Sequence, residues 1–279
     1  MDFVGLIPAA GRATRLAPFR YPKELLPIGY ELTPQGGARP RAVAEYGVEA
    51  IKAAGIDHMF FVVAPWKLDV VTYFGDGGQF GVSVGYLYQE EARGLPHAVD
   101  IAYPWIGGRH VALVLPDTIV TPPDALARLR TRYTDTGADL ALAVFPTEQA
   151  WRLGPVVMSG GKVERVLDKP KGPAPANTWG AAIWGERFAA LLHEGLAQAS
   201  PAPAGPAQAS TAQASPGAAE PVLGMFFDLA VRRGLTAVAV EFPGGSFEDA
   251  GTSEGIVRTG LVAPGMAGWP GSDRRLNAS

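Results

Sequence analysis

Residues 7–29 read IPAAGRATRLAPFRYPKELLPIG. The stretch begins as the end of an apolar run, FVGLIP at residues 3–8, and then turns to small residues, arginines and prolines. An apolar run of that length bounded by small residues predicts a buried strand followed by a loop. A small-residue loop after the first strand of an α/β sheet lets backbone N–H groups approach phosphates closely. Arg15 and Lys23 then supply positive charge to balance phosphate oxygens. Arg12 and Arg20 read as solvated surface charges. Neither the G-x-x-x-x-G-K-[ST] phosphate loop nor the G-x-G-x-x-G dinucleotide fingerprint occurs here.

Working outward, apolar runs alternate with helical patterns. Residues 58–64, 82–89, 110–117 and 139–147 predict further strands. Residues 41–56 carry apolar side chains at helical spacing and end at Gly55, a helix stop. KLDVVTYFGDG, GLPHAVDIAYPWI and PDALARLRTRYTDTG predict helices between the strands. Continuous apolar strands separated by helices imply an α/β fold. Its mostly parallel, Rossmann-like sheet has helices on both faces and binds ligands at the strands' carboxyl ends.

After Thr147 the texture changes. GPVVMSGGKVERVLDKP predicts a hairpin turning at Gly160 and Gly161, and WGAAIWGERFAALLHEGL predicts a strand running into a helix. From residue 197 to 221 the sequence is low in complexity, with AQAS at 197, 207 and 212 and no large apolar side chain before Val222. Such a segment cannot bury a core and reads as a disordered loop or tether. A helix, VLGMFFDLAVRRG, and a strand at 236–242 follow, and the final residues are expected to fray.

The chain has 279 residues, a net charge of −3, 18% charged residues and no cysteine. That length supports a large core. The charge balance gives no footprint for nucleic acid. Without cysteine there is no disulfide or thiolate site, which suits a reducing cytoplasm. No signal peptide and no run of roughly 18 apolar residues is visible, so no membrane is expected.

The opening stretch resembles the signature of sugar-1-phosphate nucleotidylyltransferases, the glucose-1-phosphate thymidylyltransferases and uridylyltransferases among them. Their G-x-G-T-R loop and P-K-x-L-L-P-I segment correspond to GRATRL and PKELLPIG, and IPAAG looks most like the uridylyltransferase branch. YQEEARGLPHAV, LPDTIV, DKPKGP and FEDAGT resemble four later family segments in the same order. The resemblance implies a nucleotidyltransferase sheet with a small β-rich sugar-binding part. It implies one domain over residues 1–255, with a nucleotide half at about 1–147, a sugar half at about 148–255 and a tail at 256–279. The short stretch after Thr252 is expected to hold no second catalytic domain.

The resemblance further implies the following roles. Ala9, Ala10, Gly11, Ala13 and Thr14 wrap the nucleotide, and Gln89 and Gly94 read a pyrimidine base. Asp117 and Asp249 hold Mg²⁺. Arg15, Lys23, Asp117 and Lys169 do the catalytic work, with Lys169 touching the sugar phosphate. Gly154, Asp168, Trp179 and Gly180 line the sugar pocket. Trp179 and Trp184 also suit core packing, and His58, His97, His110 and His193 read as structural because none has a partner at metal spacing. The implied substrates are dTTP or UTP and a sugar 1-phosphate, with a homo-oligomer left open.

Several departures mark a divergent branch. Ala13 replaces the loop's second glycine, the spacing from TRL to PK is shorter, and YELTPQGGARP lengthens the link to the first helix. Asp168 stands for the usual Glu, and no G-E-L-x-x-T-D stretch follows the repeat. Two other functions therefore stay open. One is a cytidylyltransferase for a non-sugar phosphate or phosphonate; the other is an inactive, nucleotide-binding regulatory protein.

Overall fold

The computed structural model describes residues 1–19, 21–32, 37–199 and 221–262. Arg20 and the core of the AQAS segment lie outside the described residues. The chain opens with β1 (Phe3–Pro8), followed by β2 (Pro27–Leu32), β3 (Ala38–Ala42) and α1 (Val43–Ala53). Next come β4 (His58–Val63), α2 (Leu68–Phe74), β5 (Ser83–Tyr88), α3 (Leu95–Asp100) and α4 (Tyr103–Ile106). Then β6 (His110–Val114), β7 (Thr118–Thr121), α5 (Ala125–Thr136) and β8 (Leu140–Pro146) complete the first half. The second half holds β9 (Val156–Ser159), β10 (Lys162–Val166), β11 (Asn177–Trp184) and α6 (Glu186–Ala199). It ends with α7 (Leu223–Arg232), β12 (Ala237–Glu241), β13 (Ser246–Asp249) and α8 (Ser253–Val262).

Nine strands form one sheet in the order β5-β4-β1-β6-β11-β8-β12-β10-β9. β5, β4, β1 and β6 are mutually parallel, as are β8 and β12. β11 runs antiparallel to both neighbours, β6 and β8, and so joins the parallel half to the second half. Every residue of β1 is buried, with Ile7 in the cluster that holds Val48, Phe61 and Leu129. Leu6 points the other way, toward Val62, Trp184 and Phe227. Burial on both faces is why these strands read as unbroken apolar runs rather than alternating ones.

Four local differences from the sequence pattern have physical reasons. The helix expected at 41–56 starts at Val43, because Arg41 and Ala42 belong to β3, which pairs antiparallel with β2. Glu45 fixes that start, its Oε1 accepting from Ala42 N at 2.9 Å. GLPHAVDIAYPWI splits into α3 and α4, with Pro104 in the first turn of α4, where its missing N–H is harmless. α6 continues through Ala199, three residues into the low-complexity stretch. Residues 253–262 form α8, which packs on β13, where the sequence suggested the start of a tail.

Two short strands decide the site. β13 pairs antiparallel with β7 in a separate small sheet, Asp249 opposite Thr118. Ala250 N donates to Asp117 O at 2.8 Å and continues the link. A small apolar cluster of Leu16, Leu26, Ile28, Val43, Ile119 and Ala250 ties the first loop to both strands.

Candidate active site

The loop after β1 leaves the sheet at its carboxyl edge. Ala9 and Ala10 are buried, and Ala9 N donates to Val62 O at 2.7 Å. Gly11 has open space where a Cβ would stand. Ala13 adopts a left-handed conformation, φ 52°, ψ 35°, the position at which the resemblance places a glycine. A single 3-10 turn over Thr14–Leu16 follows, anchored by buried Leu16 and presenting Arg15. A second turn, Lys23–Leu25, sends consecutive side chains to different partners. Lys23 Nζ meets Asp117 Oδ2, while Lys67 Nζ donates to Glu24 Oε2 in a fully buried pair. The Glu24–Lys67 pair fastens the Lys23 turn to the end of β4. Neither partner's function is visible in the sequence, since 43 residues separate them.

Asp117 follows β6, and Asp249 ends β13, so the small β7–β13 sheet brings the two carboxylates side by side. Burial opposes charge on Asp117, but Lys23 and hydrogen bonds outweigh it and hold its carboxyl below the usual range. Lys23 is likewise pushed down by burial and held up by Asp117. Asp249 is pushed up, first by burial and then by the Asp117 charge. Lys23, the Gly251 N–H and Arg15 only partly offset this. Gly251 N donates to Asp249 Oδ1 at 2.6 Å, and Arg15 Nη2 lies 3.6 Å from Asp249 Oδ2. Gly251 is hemmed in: a Cβ there would stand 2.6 Å from Asp249 Oδ1 and 2.9 Å from Arg15 Nη2.

These groups border a cavity of about 600 Å³. Ala10, Gly11, Ala13, Thr14, Arg15 and Lys23 form one wall. Gln89 and Gly94 stand on another, and Asp117, Asp249 and Gly251 close it. Gly94 opens α3 with φ 86°, a conformation that favours glycine. Arg12, expected at the surface, also lines this cavity, with its guanidinium 4.6 Å from the Trp66 ring centroid. His97, expected to be purely structural, lies 2.9 Å from the Gln89 amide. His110 bonds Tyr133, His58 bonds Asp57 and His193 bonds Asp100, all away from the cavity.

A second cavity, about 290 Å³, shares Leu95 and Leu153 with the first. Gly154, Asp168 and Trp179 line it together with Arg152, Leu167 and Leu223. Gly154 allows Trp179 its place, since a Cβ there would come within 2.5 Å of the indole Nε1. Gly180 does not join them. It faces the opposite side of the sheet, where a Cβ would meet Phe247 and Phe145. Lys169 is exposed, lines neither cavity and sits at φ 40°, its N donating to Leu153 O at 3.0 Å. Trp184 is 1% exposed, packed on Phe188 in the core.

The donor set suits a small hard cation. Among the described residues no group of three or more His, Cys, Asp or Glu side chains gathers to hold a metal. Two carboxylates are nevertheless what Mg²⁺ commonly takes when phosphates and water complete its shell. The Asp117 charge that pushes Asp249 up is the repulsion a divalent cation would relieve.

Comparison with known proteins bears on the family and the fold. The family model described as nucleotidyl transferase matches residues 4–198. A glucose-1-phosphate thymidylyltransferase of Streptomyces griseus is 30% identical over 200 residues, 70% of this chain and 52% of the relative. A UTP–glucose-1-phosphate uridylyltransferase of Staphylococcus epidermidis is 28% identical over 203 residues, 62% of this chain and 67% of the relative. The chain thus spans about half the length of the first of these curated relatives. In fold it is similar to a UDP-glucose pyrophosphorylase solved with UDP-glucose, TM-score 0.72 at 21% identity. That match covers 94% of this chain and 98% of the other. A UTP-bound UGPase from Acinetobacter baumannii gives 0.68 at 20% identity, covering 94% and 93%. With a family model matched across most of its length and both halves of the fold in place, the chain belongs to the nucleotidyl transferase family.

Proposed function

We propose that this protein is a Mg²⁺-dependent nucleotidylyltransferase that joins a sugar 1-phosphate to dTTP or UTP. The observation that carries the proposal is the convergence of Arg15, Lys23, Asp117 and Asp249 on one cavity that also holds Gln89 and Gly94. An acceptor phosphate oxygen attacks the α-phosphorus, the bond to the bridging oxygen of the β-phosphate breaks, and pyrophosphate leaves. Such transfer demands positioning and charge neutralisation rather than covalent catalysis.

The chain's residues divide those tasks. The loop N–H groups from Gly11 to Thr14 lie against the triphosphate, and Arg15 steadies the leaving pyrophosphate. Lys23 reaches the cavity from its turn and offsets the repulsion between donor and acceptor phosphates. Asp117 and Asp249 would hold Mg²⁺, which when bound neutralises phosphate charge. Gln89 and Gly94 read the base edge, and the smaller cavity at Gly154, Asp168 and Trp179 takes the sugar. Lys169 and Gly180 have no direct part in the arrangement described above; Lys169 reaches the sugar phosphate only if its loop turns inward. A cytosolic location goes with this reading.

The test is pyrophosphate release in Mg²⁺, crossing dTTP, UTP, CTP, GTP and ATP with a panel of sugar 1-phosphates and phosphonates. Release with one pyrimidine triphosphate and one sugar supports the proposal and names both substrates. Release with CTP and a phosphonate alone would replace it.

A further inference from the structure

Gln89 is 3% exposed, and its backbone N donates to Val63 O at 2.8 Å, so only its amide is free to choose a direction. The amide nitrogen, Nε2, lies 2.9 Å from Nδ1 of His97, in the first turn of α3. On the other side of the ring, Arg93 Nη1 lies 3.2 Å from His97 Nε2. A guanidinium can only donate. For the Arg93 contact to be a hydrogen bond, Nε2 must offer its lone pair, and a neutral ring then carries its proton on Nδ1. Burial and the Arg93 charge push the His97 pKa down, against the smaller pull of Asp100 and Glu91, and so favour the neutral ring. An Nδ1–H facing an amide needs the amide oxygen. Rotation of the Gln89 amide about its last bond supplies it, because the two ends of an amide are alike in shape. Its NH₂ group then faces the cavity.

We infer that Arg93 and His97 are positioning residues that fix the Gln89 amide with its NH₂ toward the base. The inference rests on the proposed role of Gln89 in base reading. Uracil and thymine carry a carbonyl at C4 that accepts from this NH₂, whereas cytosine carries an amino group there and would set donor against donor. With Nδ1 unprotonated the amide would turn over and the preference would invert. The clamp therefore stands beyond the base contact itself and sets which pyrimidine the contact accepts.

The experiment is calorimetric binding of UTP and CTP, each with Mg²⁺ and without acceptor, to the wild-type chain and to His97→Leu, His97→Asn and Arg93→Ala. The wild type is expected to prefer UTP by at least roughly tenfold, the size that a buried unmet donor confers. His97→Leu should lose most of that ratio. His97→Asn keeps an N–H near the place of Nδ1 and should restore most of it. Arg93→Ala frees the tautomer and should fall between them. A wild type without preference would overturn the inference. So would equal weakening of both nucleotides by His97→Leu, because a purely structural role predicts that. Failure of the proposed activity looks different: a UTP preference intact in a protein that releases no pyrophosphate.

Discussion

The two cavities meet at Leu95 and Leu153 and yet are built by opposite means. The larger one lies at the carboxyl ends of parallel strands, where β1 and β6 deliver their loops to one place. Its charged groups are paired, most of them out of solvent: Lys23 with Asp117, Glu24 with Lys67, and half-buried Asp249 with the Gly251 N–H and the exposed Arg15. The smaller one lies where β11 and the β9–β10 hairpin run antiparallel, and its Asp168 is exposed. Parallel strands send consecutive loops to the same edge. Successive side chains of any strand face opposite sides of the sheet, which is why Trp179 lines the smaller cavity and Gly180 does not. The larger cavity is therefore preorganised, and the smaller one is shaped by a few close contacts.

Perturbing each side in turn should sharpen the contrast. Gly251→Ala puts a Cβ among Asp249, Arg15 and Asp117, at 2.6, 2.9 and 3.2 Å. Displacing these groups by a fraction of an ångström should cut kcat about 10²-fold with little change in melting temperature. Gly154→Ala acts on the other side, where a Cβ meets the Trp179 Nε1 at 2.5 Å. Steady-state kinetics should show acceptor KM raised roughly tenfold and nucleotide KM unchanged, as expected for loss of one pocket contact. Equal effects on both substrates would contradict the separation of the two sites.

Stability separates the halves as well. Asp228 on α7 accepts from Arg165 Nε at 2.7 Å and from Val166 N at 3.1 Å, and so pins the helix to β10. Asp228→Ala should cost about 1–3 kcal/mol at neutral pH, measured by urea unfolding. Burial opposes the charge on Asp228, but Arg165, the Val166 N–H and Arg232 hold its carboxyl below the ordinary 3.8. The folded state then binds fewer protons than the unfolded one between those values. Its contribution is full above the unfolded value and is lost as pH falls through the folded one. The gap between wild type and Asp228→Ala should accordingly narrow in acid. The smallest effect belongs to the loop. Ala13 at φ 52° carries left-handed strain, and Ala13→Gly should raise stability by about 1 kcal/mol.

Much of the larger cavity was legible in the sequence. The runs at β1, β4 and β6 are apolar and mostly buried, and the loop residues after β1 and β6 carry the family signature. The β9–β10 hairpin was marked by Gly160 and Gly161, both at positive φ. β7 and β13 were not legible. Each has four residues, only partly buried, and their partners lie more than 120 positions apart, so no local period betrays them. Yet that pairing is what sets Asp249 beside Asp117. β3 was not legible either: its first three residues read as the link to the first helix and Arg41 and Ala42 as that helix's start, because Ala38–Ala42 contains Pro40 and two arginines, a composition that argues against a strand until β2 pairs with it. His97 gave no sign of its part because its partner, Gln89, meets it only through the turn at Gly94.

The most direct test of the central claim is pyrophosphate release by Asp117→Asn beside the wild type, with Mg²⁺, UTP or dTTP and the sugar 1-phosphate the wild type prefers. Asparagine keeps the shape and an acceptor for Lys23 but removes the charge. The account predicts a fall of roughly 10³-fold in kcat, on the scale of losing one preorganised electrostatic group, with the circular dichroism spectrum unchanged. Undiminished release by a folded Asp117→Asn would contradict it.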